Sequence, residues 1–413
     1  MPEIAKVPAI RFKGFTDTWE HRKLGEVGST YTGLSGKSKI DFGHGEGRYV
    51  TYMNVFTNAV SSPKMVEPIE IDAKQNEVKA GDVFFTTSSE TPEEVGMSSV
   101  MLENSPNTYL NSFCFGYRTI EKFDNYYLAY MLRSDSVREN IVFLAQGISR
   151  YNISKNKVME IEVPIPQMAE QRLLGEFFCN LDNLIALHQC KLLKLKNLKK
   201  AMLEKMFPKN GSSVPEIRFA GFTDVWEQRK LAEMTSLITK GTTPLDKSGN
   251  GNINFVKIES IDSSSGRITI TSTISEEEHN GYLKRSQLEV DDVLFSIAGT
   301  LGRVATVNKD ILPANTNQAL AIIRLKNCCI DYITTYLKGK VVSEFVKKNP
   351  TVGAQPNLSL EQVGNLEIDL PNSVEQKKIG LFFKNLDNLI TLHQRKHEKL
   401  QNIKKACLER MFV

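Results

Sequence analysis

The feature that most constrains this chain is an internal duplication. Residues 7–24 and 214–231 are identical at 14 of 18 positions, at an offset of 207 residues. Residues 168–207 and 373–412 are identical at 25 of 40 positions, at an offset of 205. A repeat at a nearly constant offset indicates that one structural unit of about 206 residues occurs twice.

The stretches between the matched segments have diverged. Residues 25–146 and 232–352 share only scattered features, such as GDVFF at 81–85 against DDVLF at 291–295. Neutral drift after duplication is one explanation, but drift would also have eroded the long 168–207 segment. We therefore predict two domains that keep one fold and recognise different things.

Each copy of the repeat ends in a segment with the pattern of a long helix. Pro166 and Pro208 flank the first segment, and Ser373 with Gln376 forms a capping-box pattern at the second. Each helix would be roughly 60 Å long. Apolar residues recur at spacings of three and four, typical of a packed seam; they are Phe177, Leu181, Leu184, Leu195, Leu198 and Met202, and then Phe382, Leu386, Leu389, Leu400, Ile403 and Cys407.

The two seams most simply bury each other, and a duplicated unit tends to pair through a pseudo-two-fold axis. Such an axis makes the helix pair antiparallel and would place the globular domains at its opposite ends. His188 and His393 stand at the midpoints of the two segments, so we predict that they meet at the crossing, within about 10 Å. Two adjacent imidazoles resist being charged together, so the pairing should loosen as pH falls through about 6.5. Alternatively, both rings point to solvent and the helices cross elsewhere.

The globular parts have the pattern of mixed α/β domains. Residues 254–258 and 292–297 are predicted strands, and residues 125–133 and 330–348 predicted helices. Trp19 and Trp226, which recur in the repeat, are expected to anchor the core. The predicted fold class is α+β, with a first globular domain at 1–166, a first long helix at 167–208, a second globular domain at 209–371 and a second long helix at 372–413.

Composition narrows the class of protein only a little. Among 413 residues, 41% are hydrophobic and 24% charged, as in ordinary globular proteins. We expect a cytoplasmic protein, because no apolar run suits a membrane span or a secretory signal. The six cysteines lack metal-ligand spacing and are expected to be reduced and buried. A net charge of +4 is low for a DNA-binding domain, although local patches matter more than totals.

The motifs of catalysis are missing or incomplete. Residues 31–38, YTGLSGKS, approach a phosphate-binding loop, but Tyr31 stands where that loop needs glycine. No dinucleotide fingerprint and no Asn-Pro-Pro motif of the amino-methyltransferase kind occurs. His393 and His397 are spaced i, i+4, but a metal site needs more ligands. We therefore expect neither a catalytic residue nor a metal site.

The order of these features resembles the specificity subunit of type I restriction–modification systems. The resemblance covers essentially the whole chain. It rests on PEIRF…GF…WE at 215–227, DVLF at 292–295 followed by GTLG at 299–302, and the twin helices that contain Glu-Gln…Asn-Leu-Asp and end in Leu-Glu-Lys/Arg-Met-Phe. No single motif identifies the family strongly, whereas the order of all of them, repeated twice along the chain, is specific to it.

The resemblance implies a non-catalytic subunit with two target-recognition domains, each reading half of a bipartite double-stranded DNA sequence. The helices would set the gap and recruit two modification subunits, which methylate adenine at N6 with S-adenosylmethionine. Restriction motor-nuclease subunits would add cleavage that uses ATP and Mg; a combined cleaving-and-methylating enzyme is an alternative partner. No cofactor is expected on this chain. The two domains differ at TTSSE, 86–90, against SIAGT, 296–300, so residue roles do not transfer directly between them.

Candidate DNA contacts are polar or basic residues in loops, because such side chains read base edges and phosphates. For any one of them, solvated surface is the alternative. They are Ser35, Lys37, Lys39, Arg48, Tyr52, Asn54, Ser88, Arg150 and Tyr151 in the first domain, and Lys240, Thr242, Thr243, Lys257, Thr300, Arg303, Asn317, Gln318 and Gln355 in the second. Lys199 and Lys200, in the basic half of the first helix, are expected to contact a modification subunit or DNA, unless they only complement the helix dipole.

Two other classes of protein stay open at this point. A scaffold whose two domains bind proteins would show the same duplicated rod. A catalytic methyltransferase or nuclease would bind S-adenosylmethionine or cut DNA by itself. Duplex binding whose affinity falls steeply with salt would separate the DNA reader from the scaffold.

Overall fold

The computed structural model describes residues 7–209, 211–246, 248–263, 265–348 and 357–413. The strands are β1 (Glu20–Lys23), β2 (Gly28–Thr32), β3 (Phe42–Val50), β4 (Val66–Ile69), β5 (Val83–Thr86), β6 (Ser88–Ser89), β7 (Ser98–Val100), β8 (Thr108–Leu110), β9 (Cys114–Thr119), β10 (Tyr151–Asn152), β11 (Glu162–Ile165), β12 (Glu227–Lys230), β13 (Thr235–Lys240), β14 (Ile253–Val256), β15 (Thr273–Ile274), β16 (Val293–Ser296), β17 (Val304–Thr306), β18 (Ala314–Thr316), β19 (Leu320–Leu325) and β20 (Glu367–Leu370). The helices are α1 (Leu24–Val27), α2 (Tyr52–Thr57), α3 (Asn125–Met131), α4 (Asp135–Phe143), α5 (Lys155–Val158), α6 (Met168–Lys205), α7 (Glu276–Asn280), α8 (Ile330–Leu337), α9 (Lys340–Lys348), α10 (Leu360–Gly364) and α11 (Ser373–Arg410).

The chain divides into two compact units. Unit 1 comprises Met1–Leu187 and Lys396–Val413, and unit 2 comprises His188–Arg395. Each unit therefore contains one globular part, the first half of the helix that follows it and the second half of the other long helix. The four-part division predicted from the sequence stays a prediction.

Unit 1 is built in layers. Its four-stranded antiparallel sheet has the order β2-β9-β5-β7, and its three-stranded sheet has the order β4-β3-β8, with β3 and β8 parallel. Side chains alternate along β5, because successive residues of a strand point to opposite faces. Phe85 joins the core with α3 and the start of α6, and Phe84 joins the core beside the smaller sheet. Two-stranded pairs β1-β11 and β6-β10 complete the unit.

Unit 2 repeats the two main sheets and the first two-stranded pair of this plan, and in place of the β6-β10 pair its described residues have a single bridge between Ala298 and Asn357. Its sheets have the orders β13-β19-β16-β17 and β15-β14-β18, again with one parallel pair, and β12 pairs with β20. The prediction of one fold in two copies is confirmed, as are strands near 254–258 and 292–297. The predicted helix at 330–348 was wrong as a single element. It is two helices, because the chain turns at Lys338 and Gly339, whose amides bond carbonyls three residues back, at 3.1 and 2.8 Å.

The long helices pack in the antiparallel direction within each unit, as predicted. In unit 1 the Phe178 and Phe412 ring centroids are 5.5 Å apart, and an oxygen of Asp182 lies 2.5 Å from the nitrogen of Lys404. In unit 2 a later residue of α6 likewise meets an earlier residue of α11. Lys199 pairs with Asp387 at 2.5 Å, and the Phe207 and Phe383 rings are 5.9 Å apart.

The predicted seam is correct only in part. Two of its residues, Leu181 and Leu386, are buried, and six others pack against the cores, namely Phe177, Leu195, Met202, Phe382, Leu400 and Cys407. The other four, Leu184, Leu198, Leu389 and Ile403, are 36–44% exposed. Phe178, which the prediction left out, is buried, and its ring lies 5.3 Å from that of Tyr130 on α3. Each helix half packs on its own globular part as well as on the other helix, so its buried stripe is wider than the seam of a two-helix pair.

The start of α11 also differs from the prediction. Asn372 caps the helix, because its Oδ1 accepts a hydrogen bond from the Glu375 amide at 3.0 Å. Gln376 instead donates its side-chain amide to the Pro371 carbonyl at 2.8 Å and is buried. The predicted capping box of Ser373 and Gln376 was therefore wrong.

The repeated segments at 7–24 and 214–231 each contribute an arginine to a buried ion pair. Arg11 donates two hydrogen bonds, at 2.6 and 2.8 Å, to Glu170 in the first turn of α6. Arg218 donates two, at 2.7 and 2.8 Å, to Glu375 in the first turn of α11. Trp19, buried as predicted, adds a third bond to Glu170 at 3.0 Å. The repeat therefore fixes the start of each long helix to its globular part.

The cysteine prediction holds only in part. Cys114 is buried, and burial raises the pKa of its thiol. Cys190 is exposed, and the others are half-buried. Cys179, Cys190 and Cys407 lie on the long helices, whereas Cys328 and Cys329 directly precede α8.

Candidate nucleic-acid interface

In both units, two chain segments cross just beyond the ends of two strands that belong to different sheets. In unit 1, Gly33 follows β2 and Asn111 follows β8; a Cβ on Gly33 would lie 2.2 Å from the Asn111 carbonyl oxygen. In unit 2, a Cβ on Gly241 would lie 2.1 Å from the Asn317 carbonyl oxygen. Only glycine permits this approach, so the crossing is a fixed part of the frame.

Asn111 and Asn317 have the same structural task at these crossings. The Oδ1 of Asn111 accepts the Phe113 amide at 2.8 Å, and the Oδ1 of Asn317 accepts the Ala319 amide at 3.2 Å. Each asparagine therefore shapes its own turn. Sequence reasoning selected Asn317 as a base reader and missed Asn111, although their offset of 206 within the repeat pointed to a shared role.

Unit 2 has a cleft of about 250 Å³ beside its crossing. The cleft brings together four predicted DNA contacts, namely Thr243, Lys257, Asn317 and Gln318. The Thr243 hydroxyl donates a hydrogen bond to Oε1 of Gln318. Asp246 also lines the cleft, and hydrogen bonds from the Ser248 amide and hydroxyl lower the pKa of its carboxyl.

The other predicted residues of unit 2 lie outside this cleft. Lys240 and Thr300 are exposed, and Thr242 is half-buried and accepts a long hydrogen bond from Arg285 at 3.4 Å. Arg303 donates to the carbonyls of Ile258 and Ile261 at 3.0 and 2.9 Å, so it holds a loop. Gln355 lies outside the described residues.

Unit 1 gathers Tyr52, Ser88, Arg150 and Tyr151 in one place. The Tyr52 hydroxyl donates to the Ser88 carbonyl at 2.7 Å, and β6 pairs with β10, which holds Tyr151. Burial raises the pKa of Tyr52, and the charge of nearby Arg150 partly opposes that rise. Arg150 is exposed and Ser88 is buried. Of the four, Arg150 is the one best placed to meet a phosphate.

Asn54 is buried beside this cluster and serves the fold. Its side-chain amide donates to the carbonyls of Ser62 and Met65 at 2.8 and 3.0 Å. These two bonds hold the loop after α2, so the side chain faces the protein. Sequence could show that the residue is polar but not that its hydrogen bonds are internal.

The remaining predicted residues of unit 1 are Ser35, Lys37, Lys39 and Arg48. The Ser35 amide donates to the Gln75 side chain at 3.0 Å, and Lys37 pairs with Asp72 at 2.8 Å. The hydrogen bond from Lys37 is the largest cause that lowers the pKa of Asp72 to about 2. Lys39 and Arg48 are exposed.

The predicted helix-crossing residues lie together in unit 2. The Nδ1 atoms of His188 and His393 are 2.8 Å apart, and the ring centroids are 5.0 Å apart. At that distance one ring must donate its hydrogen and the other accept it. The pair therefore needs at least one neutral imidazole.

Lys199 does not fit the predicted role of a surface contact. It is 9% exposed and pairs with Asp387, which also lies 3.7 Å from Lys338. Lys200 is exposed. The prediction treated the two lysines alike because sequence cannot tell which face of a helix is covered.

Residues 16–197 and 223–402 each match the type I restriction modification DNA specificity domain. The chain belongs to this family. Each of its two globular parts is thus a DNA specificity domain of the type I kind, and the scaffold alternative is not favoured.

Individual relatives agree with this assignment. The putative type I restriction enzyme MjaX specificity subunit of Methanocaldococcus jannaschii is 22% identical, with 100% of this chain and 95% of that protein covered. The type I restriction enzyme MjaVIII specificity subunit of the same organism is 24% identical over 70% of each chain. The fold is that of the type I restriction-modification S subunit crystal structure from M. genitalium, with a TM-score of 0.62, 16% identity and coverage of 98% and 99%.

None of the described helices is both long enough and apolar enough to span a membrane.

Proposed function

We propose that each DNA specificity domain reads one half of a bipartite duplex target and that the chain works in the cytoplasm as the specificity subunit of a type I restriction–modification complex. The observation that carries the proposal is the repeated crossing. Gly33 with Asn111, and Gly241 with Asn317, form one frame twice. The neighbouring exposed residues differ, as with Ser112 against Gln318. One frame with two sets of side chains is what two different half-sites require.

Replacing residues 25–146 with the corresponding part of another family member tests this proposal. Sequencing of methylated DNA from cells that carry the full complex should show one altered half-site and one unchanged half-site. Residues 232–352 replaced in the same way should alter the other half. Changes in both halves from either replacement, or in neither, would contradict the assignment.

The long helices are the proposed binding surface for two modification subunits. Large apolar side chains on them are exposed, although the rest of each helix is packed; they are Leu173, Leu184, Leu187, Leu193, Leu198, Leu381, Leu389, Leu392 and Ile403. Exposed apolar side chains of this number are typical of a protein interface. Leu193, at 61%, and Leu381, at 56%, are the most exposed leucines of the two helices.

Changing Leu193 and Leu381 to lysine should prevent co-purification with the modification subunit. The matched control is Asn197→Lys, which adds a lysine at an exposed position of the same helix and removes no apolar surface. Normal assembly of the leucine variant, with intact helicity by circular dichroism, would contradict this surface.

The chemistry is proposed to belong to the partner subunits. S-adenosylmethionine would be used by the modification subunits, and ATP with Mg by restriction subunits, with none of these bound by this chain. Equilibrium dialysis of the isolated chain against labelled S-adenosylmethionine should show no saturable binding. Saturable binding would contradict the proposal that the partner subunits, and not this chain, bind S-adenosylmethionine.

A further inference from the structure

Three residues from three chain segments surround the cleft of unit 2. Thr243 follows β13, Lys257 follows β14 and Gln318 follows β18. Backbone bonds fix this arrangement, since the Thr242 amide donates to the Thr316 carbonyl at 3.0 Å. The side chains therefore stand at set places on the frame of two sheets.

The equivalent places in unit 1 carry different chemistry. The Leu34 amide donates to the Leu110 carbonyl at 2.8 Å, as the Thr242 amide does in unit 2. This bond and the strand registers align Ser35, Thr51 and Ser112 with the three cleft residues. Unit 1 therefore has three hydroxyls where unit 2 has a hydroxyl, an ammonium and an amide. The backbone frame is the same in both units, and the side chains on it differ.

The contact with Thr243 orients the amide of Gln318. Its Oε1 accepts the threonine hydroxyl, so the Nε2 edge, which has two hydrogens, faces the other way. Glutamine reads adenine by accepting from N6 and donating to N7, which requires both ends of the amide. With Oε1 turned towards Thr243 and one of its two lone pairs occupied, Gln318 offers its Nε2 hydrogens to a base, so it is presented as a donor. Lys257 can only donate.

We infer that Gln318 and Lys257 read a guanine in the half-site of unit 2, an inference that rests on the proposed function. Guanine is the base whose major-groove edge shows two acceptors, N7 and O6. Its partner cytosine shows an amine donor, and Asp246 supplies a carboxylate in the same cleft. The Ser248 bonds to Asp246, at 2.8 and 2.9 Å, leave carboxylate lone pairs for that amine.

Two nearly isosteric variants test the inference in the complete complex. Gln318→Glu turns the donor into an acceptor and should disfavour guanine by roughly ten- to hundred-fold in competition between duplexes that differ at one base pair. Thr243→Val removes the hydroxyl that orients the amide, so the methylated sequence should broaden from guanine to either purine. Ser112→Ala is the matched control, because it should alter only the half-site of unit 1.

The half-site of unit 2 is the one that stays unchanged when residues 25–146 are replaced. A wild-type half-site without a G·C pair, or an unchanged preference in Gln318→Glu, would overturn the inference and leave the proposed function standing. If Lys257→Ala weakened all duplexes equally and lowered the salt dependence, Lys257 would be a phosphate contact and the inference would be wrong. A wild-type complex that methylates no defined sequence would overturn the proposed function itself.

Discussion

The ion pair at the start of each long helix gives a quantitative prediction. Glu375 is fully buried, and both of its oxygens accept hydrogens from Arg218, whose side chain is 13% exposed. In Glu375→Gln one oxygen becomes an amide that directs its hydrogens at the guanidinium, and the buried positive charge loses its partner. Breaking a buried pair in this way costs about 3–5 kcal/mol. Because Arg218 is slightly exposed, we expect about 3 kcal/mol for unit 2.

The chain contains two tryptophans, one in each unit, which makes the measurement specific. In a Trp19→Phe background, the fluorescence of Trp226 during urea unfolding reports unit 2. Glu227→Gln is the matched control, since Glu227 forms an exposed pair with Arg229 and its loss should leave unfolding unchanged. A loss below about 1 kcal/mol in Glu375→Gln would refute the reasoning, because the pair would then be worth no more than a surface one.

Three further perturbations follow from the packing and the charges. Gly175→Ala should destabilise unit 1 by about 1–2 kcal/mol, because the alanine Cβ would lie 2.7 Å from the Tyr127 amide nitrogen. This cost should exceed the gain from the better helix propensity of alanine. Urea unfolding followed by Trp19 fluorescence measures the change. His188→Leu leaves Nδ1 of His393 without the hydrogen-bond partner that lies 2.8 Å away, so the stability of unit 2 in urea should fall by about 1 kcal/mol, and the double leucine variant should lose less. The pKa of Asp72 is lowered to about 2 from 3.8, so its ion pair stabilises unit 1 above about pH 4 and this stabilisation is lost as the pH falls towards 2. The difference in stability between wild type and Asp72→Asn should therefore shrink between about pH 4 and about pH 2. A difference that stayed constant over that range would contradict the pairing with Lys37.

The repeat made the architecture predictable from sequence, but it did not make the helix faces predictable. A segment at 168–207 with spacings of three and four had to be a helix, and its duplicate had to pair with something. Which stripe is buried depends on α3 in unit 1 and on α8 in unit 2, which come from other parts of the chain. These contacts form only when the domain folds, so the sequence alone did not show that Leu184 and Leu198 are exposed.

The residues of the candidate site could also be predicted only in part. Thr243, Lys257 and Gln318 were selected as polar loop residues, and the fold brings them to one cleft. Asn54 and Arg303 were selected by the same reasoning, yet their hydrogen bonds end on backbone carbonyls of their own unit. Residue type predicts the capacity to donate and accept, whereas the partner is set by tertiary contacts.

The division of the long helices between the units affects the order in which the protein can fold on the ribosome. Unit 2 is one continuous stretch, His188–Arg395, but unit 1 also needs Lys396–Val413. The core around Phe178 lacks Phe412 until that last stretch has been synthesised. Domains usually fold in the order in which they are made. Here the domain that is translated first is completed last, so a nascent chain holds an open core for most of its synthesis.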